Sequence, residues 1–351
     1  MAKVTLQSIA DRVGVSRMTV SNAFSRPDQL SGELRERILA AADDLGYVGP
    51  DPAARALARG RTGSVGLLLT DELAEAFEDP VATEFLTSVA AALTREGMAL
   101  TLLTAADAVD ARRAPSGYVP SRDVAIDGAI VYVCDPASPD IAWLNRRGVP
   151  LVAVDREPSP DVPSVNVDDR GGARAAAQHL VDLGHTRVGI LTLDKTYEVD
   201  GALKANTPAE QRMLGWRDVL ESAGIEPQVR APRHRAWLSV EEDARAMLDR
   251  PDRPTALLCF SDVMALQAIQ VAESLGLRVP ADLSVVGFDD SRRAAESRPP
   301  LTTVRQEVAS KGHEAVRALM AVMGPNPPEK AERILLPTSL VVRESTAPPP
   351  D

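Results

Sequence analysis

The sequence of 351 residues predicts a small all-α head that is followed by a larger α/β body. Near the N-terminus, two short amphipathic patterns lie on either side of Gly14, and from residue 62 onward short apolar runs alternate with amphipathic stretches. Alternating strands and helices are typical of parallel sheets that are covered by helices on both faces. Because the apolar runs form two series, we expect two lobes with a cleft between them.

The first two helical patterns, within residues 4–24, fit a helix-turn-helix. Thr5 can cap a first helix, and Gly14 suits the positive φ of the tight turn that follows it. Ser16 can then cap a second helix. The apolar residues on the buried faces of the two helices are Leu6, Ile9, Ala10 and Val13, then Val20, Ala23 and Phe24.

The opposite face of the second helix carries side chains that can read DNA bases in the major groove. Arg17 can fork onto guanine, Asn22 can pair with adenine, and Met18 can contact a thymine methyl group. Short polar side chains near the two helix starts complete the predicted DNA-binding set, mainly as phosphate contacts: Thr5, Ser16, Thr19 and Ser21. The alternative is two short helices without a DNA-binding role, which the spacing of caps and glycine disfavours.

A third helix and a short hinge helix are predicted next. Ser31 can cap the third helix. Within residues 50–61, Asp51 can cap another helix, Pro52 takes its first position and Gly60 ends it. A helix of about eight residues is too short to be stable alone in water. We therefore expect the hinge helix to fold only when another surface orders it.

The apolar runs of the body mark its expected strands, at 65–69, 99–103, 128–133 and 150–154, then 188–193, 255–260 and 283–288. The clearest amphipathic helices between them are 169–184, 208–223 and 262–276. Residues 346–351 contain three prolines in a row and are expected to form a loose tail.

Several segments of the chain together form a recognisable pattern: VTLQSIADRVGVSRMTVS, LRERILAAADDLGY and AARALARGRTGSVGLLL, followed by HLVDLGH, PTALLCFSDVMALQAI, LSVVGFDD and PPLTTV. They resemble the lactose-repressor/galactose-repressor family of bacterial transcription regulators. The resemblance covers nearly the whole chain in the order of the family. It departs at Phe24 and Ser25, where the family usually has an aliphatic residue and an asparagine. The phosphate contact of that asparagine is therefore not carried over.

The resemblance implies a two-lobed body of the periplasmic-binding-protein type, in which the chain crosses between the lobes three times. The expected domains are a DNA-binding head at 1–49, a hinge helix at 50–61, an effector-binding and dimerisation domain at 62–345, and the tail at 346–351. The N-terminal lobe is expected at 62–156 and 296–324, and the C-terminal lobe at 157–295 and 325–345.

The resemblance also implies a homodimer that binds a pseudo-palindromic, double-stranded operator. The paired hinge helices of the family place a leucine, here Leu57, as a wedge in the minor groove. Packing of Leu57 against the partner hinge is the alternative, and both can hold at once. Arg55 is expected to face the DNA backbone, with a solvated helix face as its alternative.

Polar residues follow the expected strands, where ligands bind in open parallel sheets. By resemblance, Arg212 and Asp289 occupy effector-binding positions of the family, Ser261 stands where many members have Asn, and Asp155 and Asp168 match weaker effector positions. The alternative is that strand-end Asp and Ser residues only cap the helices that follow. An Arg and a carboxylate in one cleft suit a sugar, although a purine or another polar metabolite would also fit.

Composition and motifs disfavour an enzyme. Neither a GxGxxG nor a GxxxxGK[ST] motif occurs, and the four histidines show no ligand spacing and no partnered nucleophile. We therefore expect no catalytic residue, no metal and no cofactor. The remaining alternative is a periplasmic-type sugar-binding protein without a DNA-binding role, which would need an export signal and no head.

The location and the charge of the chain agree with a DNA-binding regulator. Cys134 and Cys259 are isolated, no secretory signal is apparent, and no apolar stretch approaches the roughly 20 residues that span a bilayer. We therefore expect a cytoplasmic protein without a membrane partner. Residues 1–61 carry a net charge of +2, whereas the whole chain carries −11. DNA affinity must therefore come from individually placed groups, and the acidic body should stay off the DNA.

Overall fold

The computed structural model describes residues 4–49, 55–56, 59–69, 73–105, 119–134, 137–156, 160–193, 207–231 and 240–350. The chain divides into two compact units, Met1–Gly63 and Ser64–Asp351. The predicted hinge cap Asp51 and the predicted wedge Leu57 lie outside the described residues.

The first unit contains the predicted helix-turn-helix. Its helices are α1 (Leu6–Val13), α2 (Arg17–Ser25) and α3 (Gly32–Asp44). The hydroxyl groups of Thr5, Ser16 and Ser31 accept hydrogen bonds from backbone N–H groups in the first turns of these helices, as the sequence predicts. Gly14 has a φ of 78°, the left-handed conformation that the turn requires. The fully buried core residues of this unit are Ile9, Val20 and Ile38.

The first part of the second unit alternates strands and helices. The strands are β1 (Ser64–Leu69), β2 (Ala99–Thr104), β3 (Gly128–Tyr132), β4 (Leu151–Val154) and β5 (Ser164–Val167). The helices are α4 (Leu73–Glu78), α5 (Pro80–Arg95) and α6 (Pro139–Arg146).

The chain continues in the same alternation. The strands are β6 (Val188–Leu191), β7 (Gln228–Arg230), β8 (Ala256–Cys259), β9 (Ser284–Asp289), β10 (Thr302–Gln306), β11 (Arg333–Leu336) and β12 (Thr338–Val341). The helices are α7 (Asp169–Asp182), α8 (Pro208–Ser222), α9 (Glu241–Leu248), α10 (Asp262–Ser274), α11 (Arg292–Glu296) and α12 (Val308–Met323).

Within the described ranges, these strands form two six-stranded sheets, one in each lobe. The first has the order β11-β5-β4-β3-β1-β2, and the second has the order β12-β10-β9-β8-β6-β7. The paired strands are parallel except β12, which runs antiparallel to β10. Strands buried on both faces need continuous apolar runs, and LVAV in β4 and VGIL in β6 are buried throughout.

The lobe boundaries lie later in the chain than the sequence predicts. Strand β5 belongs to the first sheet, so the first lobe extends past the expected boundary at 156 to residue 167. Strand β10 belongs to the second sheet, so the chain returns to the first lobe after 306 and not at 296. It leaves again between β11 and β12. Which sheet β5 and β10 join is set by pairing with strands that are distant in the sequence, which explains the shift.

Helix α12 is the element that returns to the first lobe, and it packs against α5 and the first sheet. The hydroxyl of Ser88 on α5 donates to the carbonyl of Ala309 on α12. A Cβ at Gly312 would lie only 2.3 Å from Ser88 Oγ, so glycine allows this close approach. The contact fixes the start of α12 beside the strand ends of the first lobe.

The C-terminal segment differs from the loose tail that the sequence predicts at 346–351. The buried His185 ring contacts the Ala347 carbonyl through Nε2 at 3.0 Å, and the Ala347 N–H donates to Ser284 Oγ at 3.0 Å. His179 lies 2.9 Å from the hydroxyl of Thr346. Polar side chains on the second lobe therefore anchor the start of this segment, a long-range pairing that composition does not reveal.

Candidate functional site

The outer face of α2 carries the predicted base-reading residues. Arg17 is exposed, and 70% of Met18 is accessible to solvent. Asn22 is half-buried, and its Nδ2 donates to the Oε1 of Gln29 at 3.2 Å. An amide that is held this way keeps its own carbonyl oxygen and its second N–H for other partners. The arrangement can therefore present a guanidinium, a thioether and an oriented amide to a DNA groove.

The predicted phosphate contacts near this helix also hold the local backbone. Ser16 Oγ accepts from the Thr19 N–H at 3.0 Å and lies 2.8 Å from the Thr19 hydroxyl. Thr5 accepts from Ser8 in the same manner at the start of α1. Ser21 is half-buried, and its carbonyl accepts from Ser25. The helix geometry directs the N–H groups of each first turn away from the helix body, which suits phosphate binding.

A second candidate site lies in the larger unit, where the strands of the two sheets end. Among the described residues, the non-glycine residues with a positive φ are Val133, Asp155, Asp289 and Asp290. They follow or end β3, β4 and β9. Non-glycine residues in this conformation are uncommon, and they cluster at ligand sites because the surrounding structure must hold them there.

Arg212, on α8, is held in place by a carboxylate, a backbone carbonyl and two aromatic rings. It is 3% exposed, and its Nε donates to Asp169 Oδ1 at 2.8 Å. Its Nη1 donates to the carbonyl of Phe260 and lies 3.6 Å from Asp289 Oδ1. The guanidinium carbon lies 3.5 Å from the ring centroid of Phe288 and 4.4 Å from that of Phe260. Contacts with two aromatic rings fix the position of the guanidinium.

Asp289 is the predicted partner of Arg212, and the structure brings the two together. Its Oδ1 accepts from Gln306 Nε2 at 2.7 Å. The Oε1 of Gln306 in turn accepts from Lys311 Nζ at 3.2 Å, and Lys311 Nζ donates to Asp155 Oδ2 at 2.5 Å. A continuous polar chain therefore links Asp289 at the end of β9 with Asp155 at the end of β4.

The predicted residues Asp155 and Asp168 line one groove of about 440 Å³, together with Asn166, Gln211 and Arg333. The Oδ1 atom of Asp155 is buried and has no hydrogen-bond partner within the described part of the chain. Asp168 Oδ1 caps α7 by accepting from the Gly171 N–H at 2.9 Å. The volume lies in the range of small-molecule sites.

Ser261 and two neighbouring aspartates have clear structural contacts. The hydroxyl of Ser261, which is 8% exposed, caps α10 by accepting from Met264. Asp262 accepts from the Thr303 hydroxyl and the Ser291 N–H, and Asp290 pairs with Arg305 and Arg343. Capping by Ser261 agrees with the alternative that the sequence left open, although a cap and a ligand contact are compatible.

Burial dominates the electrostatics of the cleft. It raises the pKa of Asp169 to about 6, against the opposing charge of Arg212. It also raises the pKa of Asp289 well above its usual value. Desolvation disfavours the charged form of both carboxyl groups, so neither attracts a cation strongly, and both can form hydrogen bonds with hydroxyl groups. The site therefore favours an uncharged ligand with hydroxyl groups.

Sequence reasoning did not single out Phe288, Gln306 or Lys311. Phe288 reads as one more apolar residue of β9, and Gln306 ends β10, a strand that no continuous apolar run marks. Lys311 had a usable signal: it lies on the same face of α12 as the buried residues Val308 and Ala315. A charge on an apolar stripe indicates a buried partner.

Comparisons with known proteins decide the family. Residues 5–49 match the model of bacterial regulatory proteins of the lacI family, and residues 177–346 match the periplasmic binding protein-like domain. The transcriptional regulator IpsA of Corynebacterium glutamicum is 36% identical over 332 residues, which cover 91% of each chain. MalR of Streptomyces coelicolor is 35% identical, over 98% of this chain and 97% of its own. The chain belongs to the LacI family.

Solved structures agree with this membership. The CelR–cellobiose complex is 30% identical with a TM-score of 0.69, over 98% of this chain and all of that one. A Lac repressor dimer bound to operator and the anti-inducer ONPF is 26% identical with a TM-score of 0.78, covering 98% and 99% of the two chains. This LacI-family protein is thus a DNA-binding transcriptional regulator and not an enzyme, which confirms the predicted fold class and family.

The match to the lacI-family DNA-binding domain also contradicts the alternative of a sugar receptor without a DNA-binding role. Over the ranges that the structure describes, no helix is long and apolar enough to cross a membrane. The same ranges hold no cluster of three or more potential metal ligands from His, Cys, Asp and Glu.

Proposed function

We propose that this LacI-family regulator represses transcription as a homodimer on a pseudo-palindromic operator, and that a sugar or sugar derivative in the cleft controls it. The regulator would act on chromosomal DNA, and hence in the cytoplasm. A two-fold symmetric dimer that presents one α2 helix per subunit requires an inverted repeat, with half-sites in successive major grooves.

The proposed base contacts come from Arg17, Met18 and Asn22, because these side chains stand on the accessible face of α2. Thr5, Ser16, Thr19 and Ser21 are proposed to position the head on phosphates, together with the N–H groups that start the helices. Arg55, which is exposed, and Leu57 are proposed to contact the DNA from the hinge. The role of Leu57 rests on the sequence alone.

The geometry of Arg212 and Asp289 carries the effector proposal. The two groups lie 3.6 Å apart through Nη1 and Oδ1, and Arg212 Nη2 and Asp289 Oδ2 have no hydrogen-bond partner among the described residues. A donor on α8 and an acceptor at the end of β9 can bind the hydroxyl groups of a sugar from two sides. Asp155 Oδ1 offers a further acceptor, and Asp168 and Ser261 complete the proposed set.

The relatives support a sugar as the effector class. One similar structure is a regulator in complex with cellobiose, and another is the Lac repressor. A ligand that binds one closure of the cleft better than another shifts the population of that closure. Its effect on operator affinity is limited to its differential affinity, typically about 1–3 kcal/mol of coupling.

The first step of the test isolates the genomic DNA fragments to which the purified full chain binds. A selected fragment then enters gel-shift titrations with a panel of neutral mono- and disaccharides, sugar acids and purine nucleosides. We expect salt-sensitive binding to an inverted repeat, and a changed affinity with at least one neutral sugar. Footprints that stay identical with every compound, or a response to sugar acids or nucleosides alone, would contradict the effector class. Arg212→Ala should lose the response to the sugar but keep operator binding, and the matched control Arg217→Ala, on the exposed face of α8, should keep both.

A further inference from the structure

Lys311 carries a buried charge, and it belongs neither to the proposed DNA contacts nor to the proposed effector contacts. It is 1% exposed, although it lies in the first turn of α12 among apolar residues. An ammonium group is costly to bury unless its partners replace the lost water. An apolar residue would pack at this position without that cost, so the contacts of Lys311 require an explanation.

The ammonium group has contacts with three side chains. Nζ donates to Asp155 at 2.5 Å and to Gln306 Oε1 at 3.2 Å, and it lies 5.9 Å from the centroid of the Tyr132 ring. The amide of Gln306 uses its other end to donate to Asp289 at 2.7 Å. Lys311 is therefore two hydrogen bonds away from one proposed effector residue and in direct contact with another.

These partners belong to different lobes. Asp155 follows β4 of the first sheet, whereas Gln306 ends β10 of the second sheet. Residue 307 alone separates β10 from α12, so this is one of the places where the chain crosses between the lobes. A rotation of one lobe against the other at this crossing must lengthen or turn at least one of the two Lys311 hydrogen bonds.

We propose that Lys311 is the positioning residue of the cleft, which holds Asp155 in the first lobe and, through Gln306, Asp289 in the second lobe. The proposal rests on the proposed effector site. Removing the ammonium releases both carboxylates, whereas removing the Gln306 amide releases only Asp289. A lysine that merely stabilised the start of α12 would affect neither Asp155 nor Asp289.

The test is hydrogen–deuterium exchange on the full chain without DNA or effector. The Asp155 N–H donates to the Val165 carbonyl at 3.1 Å, and the Asp290 N–H lies 3.4 Å from Thr303 Oγ1, so both amides report on their segments. With Lys311→Met, we expect both segments to exchange about tenfold faster, since hydrogen bonds to charged groups are lost. With Gln306→Leu, only the segment around Asp290 should exchange faster.

The control is Arg317→Met, a charge removal on the exposed face of the same helix, where Arg317 pairs with Glu314 and Glu332. It should leave both segments unchanged. The double variant Lys311→Met, Asp155→Asn removes the unpaired carboxylate, and it should fold while the Asp290 segment still exchanges faster. Acceleration confined to the Asp155 segment or to α12 in the lysine variants would overturn the proposal, as would acceleration of both segments in Gln306→Leu. The exchange measurement uses neither operator nor sugar. A failure of the proposed effector site in the gel-shift titrations would therefore be distinguishable from a failure of this proposal.

Discussion

The guanidinium carbon of Arg212 lies 3.5 Å from the ring centroid of Phe288. Both residues are buried, and they come from different elements, α8 and β9. The aromatic ring and the carboxylate of Asp169 restrict the guanidinium to one orientation, in which Nη2 stays available. A side chain that is fixed before the ligand arrives loses less conformational entropy on binding.

Arg212→Lys should therefore remove the effector response while the operator affinity of the ligand-free protein stays near that of the wild type. Lysine retains the charge but lacks the planar fork that contacts Asp169, Phe260 and the rings together. We expect effector affinity to fall by at least tenfold, roughly 1.4 kcal/mol, in calorimetric titrations. Arg217→Lys should leave the titration unchanged, and an unaltered isotherm for Arg212→Lys would remove this residue from the site.

Asp262 should make stability depend on pH. Burial raises its pKa from 3.8 to about 6, so the folded state binds more protons than the unfolded state between these values. The wild type therefore loses stability as the pH rises through this window, by up to roughly 2–3 kcal/mol from this group. Asp262→Asn does not titrate at this position, so it does not lose this stability as the pH rises. Its altered hydrogen bonds change its free energy of unfolding by an amount that is the same at both pH values.

Scanning calorimetry of both proteins at pH 4.5 and pH 7 measures the effect. The melting temperature of Asp262→Asn, relative to that of the wild type, should be higher at pH 7 than at pH 4.5. A difference that is independent of pH would show that Asp262 titrates normally in the folded protein. Asp252→Asn is the control, because the hydrogen bond from Arg250 lowers the pKa of this exposed carboxyl instead of raising it.

Arg17→Ala should relax base preference at one position of each operator half-site. A bidentate contact between arginine and guanine discriminates by about 1–3 kcal/mol, and the loss should be confined to that base pair. Selection from a randomised operator library, followed by sequencing, measures the preference at every position. A uniform loss over all sequences would instead identify Arg17 as a phosphate contact.

Deletion of residues 346–351 should destabilise the second lobe, because His185 and Ser284 would lose their contacts with Ala347. The loss of these buried hydrogen bonds should cost roughly 1–3 kcal/mol, visible as a lower melting temperature. Deletion of residues 350–351 alone is the control. If the longer deletion melted like the wild type, the segment would be as loose as its composition predicts.

Local signals in the sequence determined the head and the alternation of the body. The caps Thr5, Ser16 and Ser31 and the turn residue Gly14 act within a few residues of themselves, so their roles can be read from spacing. Buried strands such as β4 and β6 can also be recognised in the sequence, because a strand that is covered on both faces needs a continuous apolar run. The strand ends made Asp289 one of several candidates at a crevice that the helix of Arg212 could face, and the resemblance then selected these two residues.

Only the tertiary structure decided what depends on distant pairing. The pairing of β5, β10, β11 and β12 moved the lobe boundaries, and His185 holds a segment that lies over 160 residues away. The sequence could not reveal that Lys311 joins Asp155 to Gln306, since these partners meet only when two sheets and α12 converge. A buried charge is stable only beside its partners, and the fold alone brings those partners together.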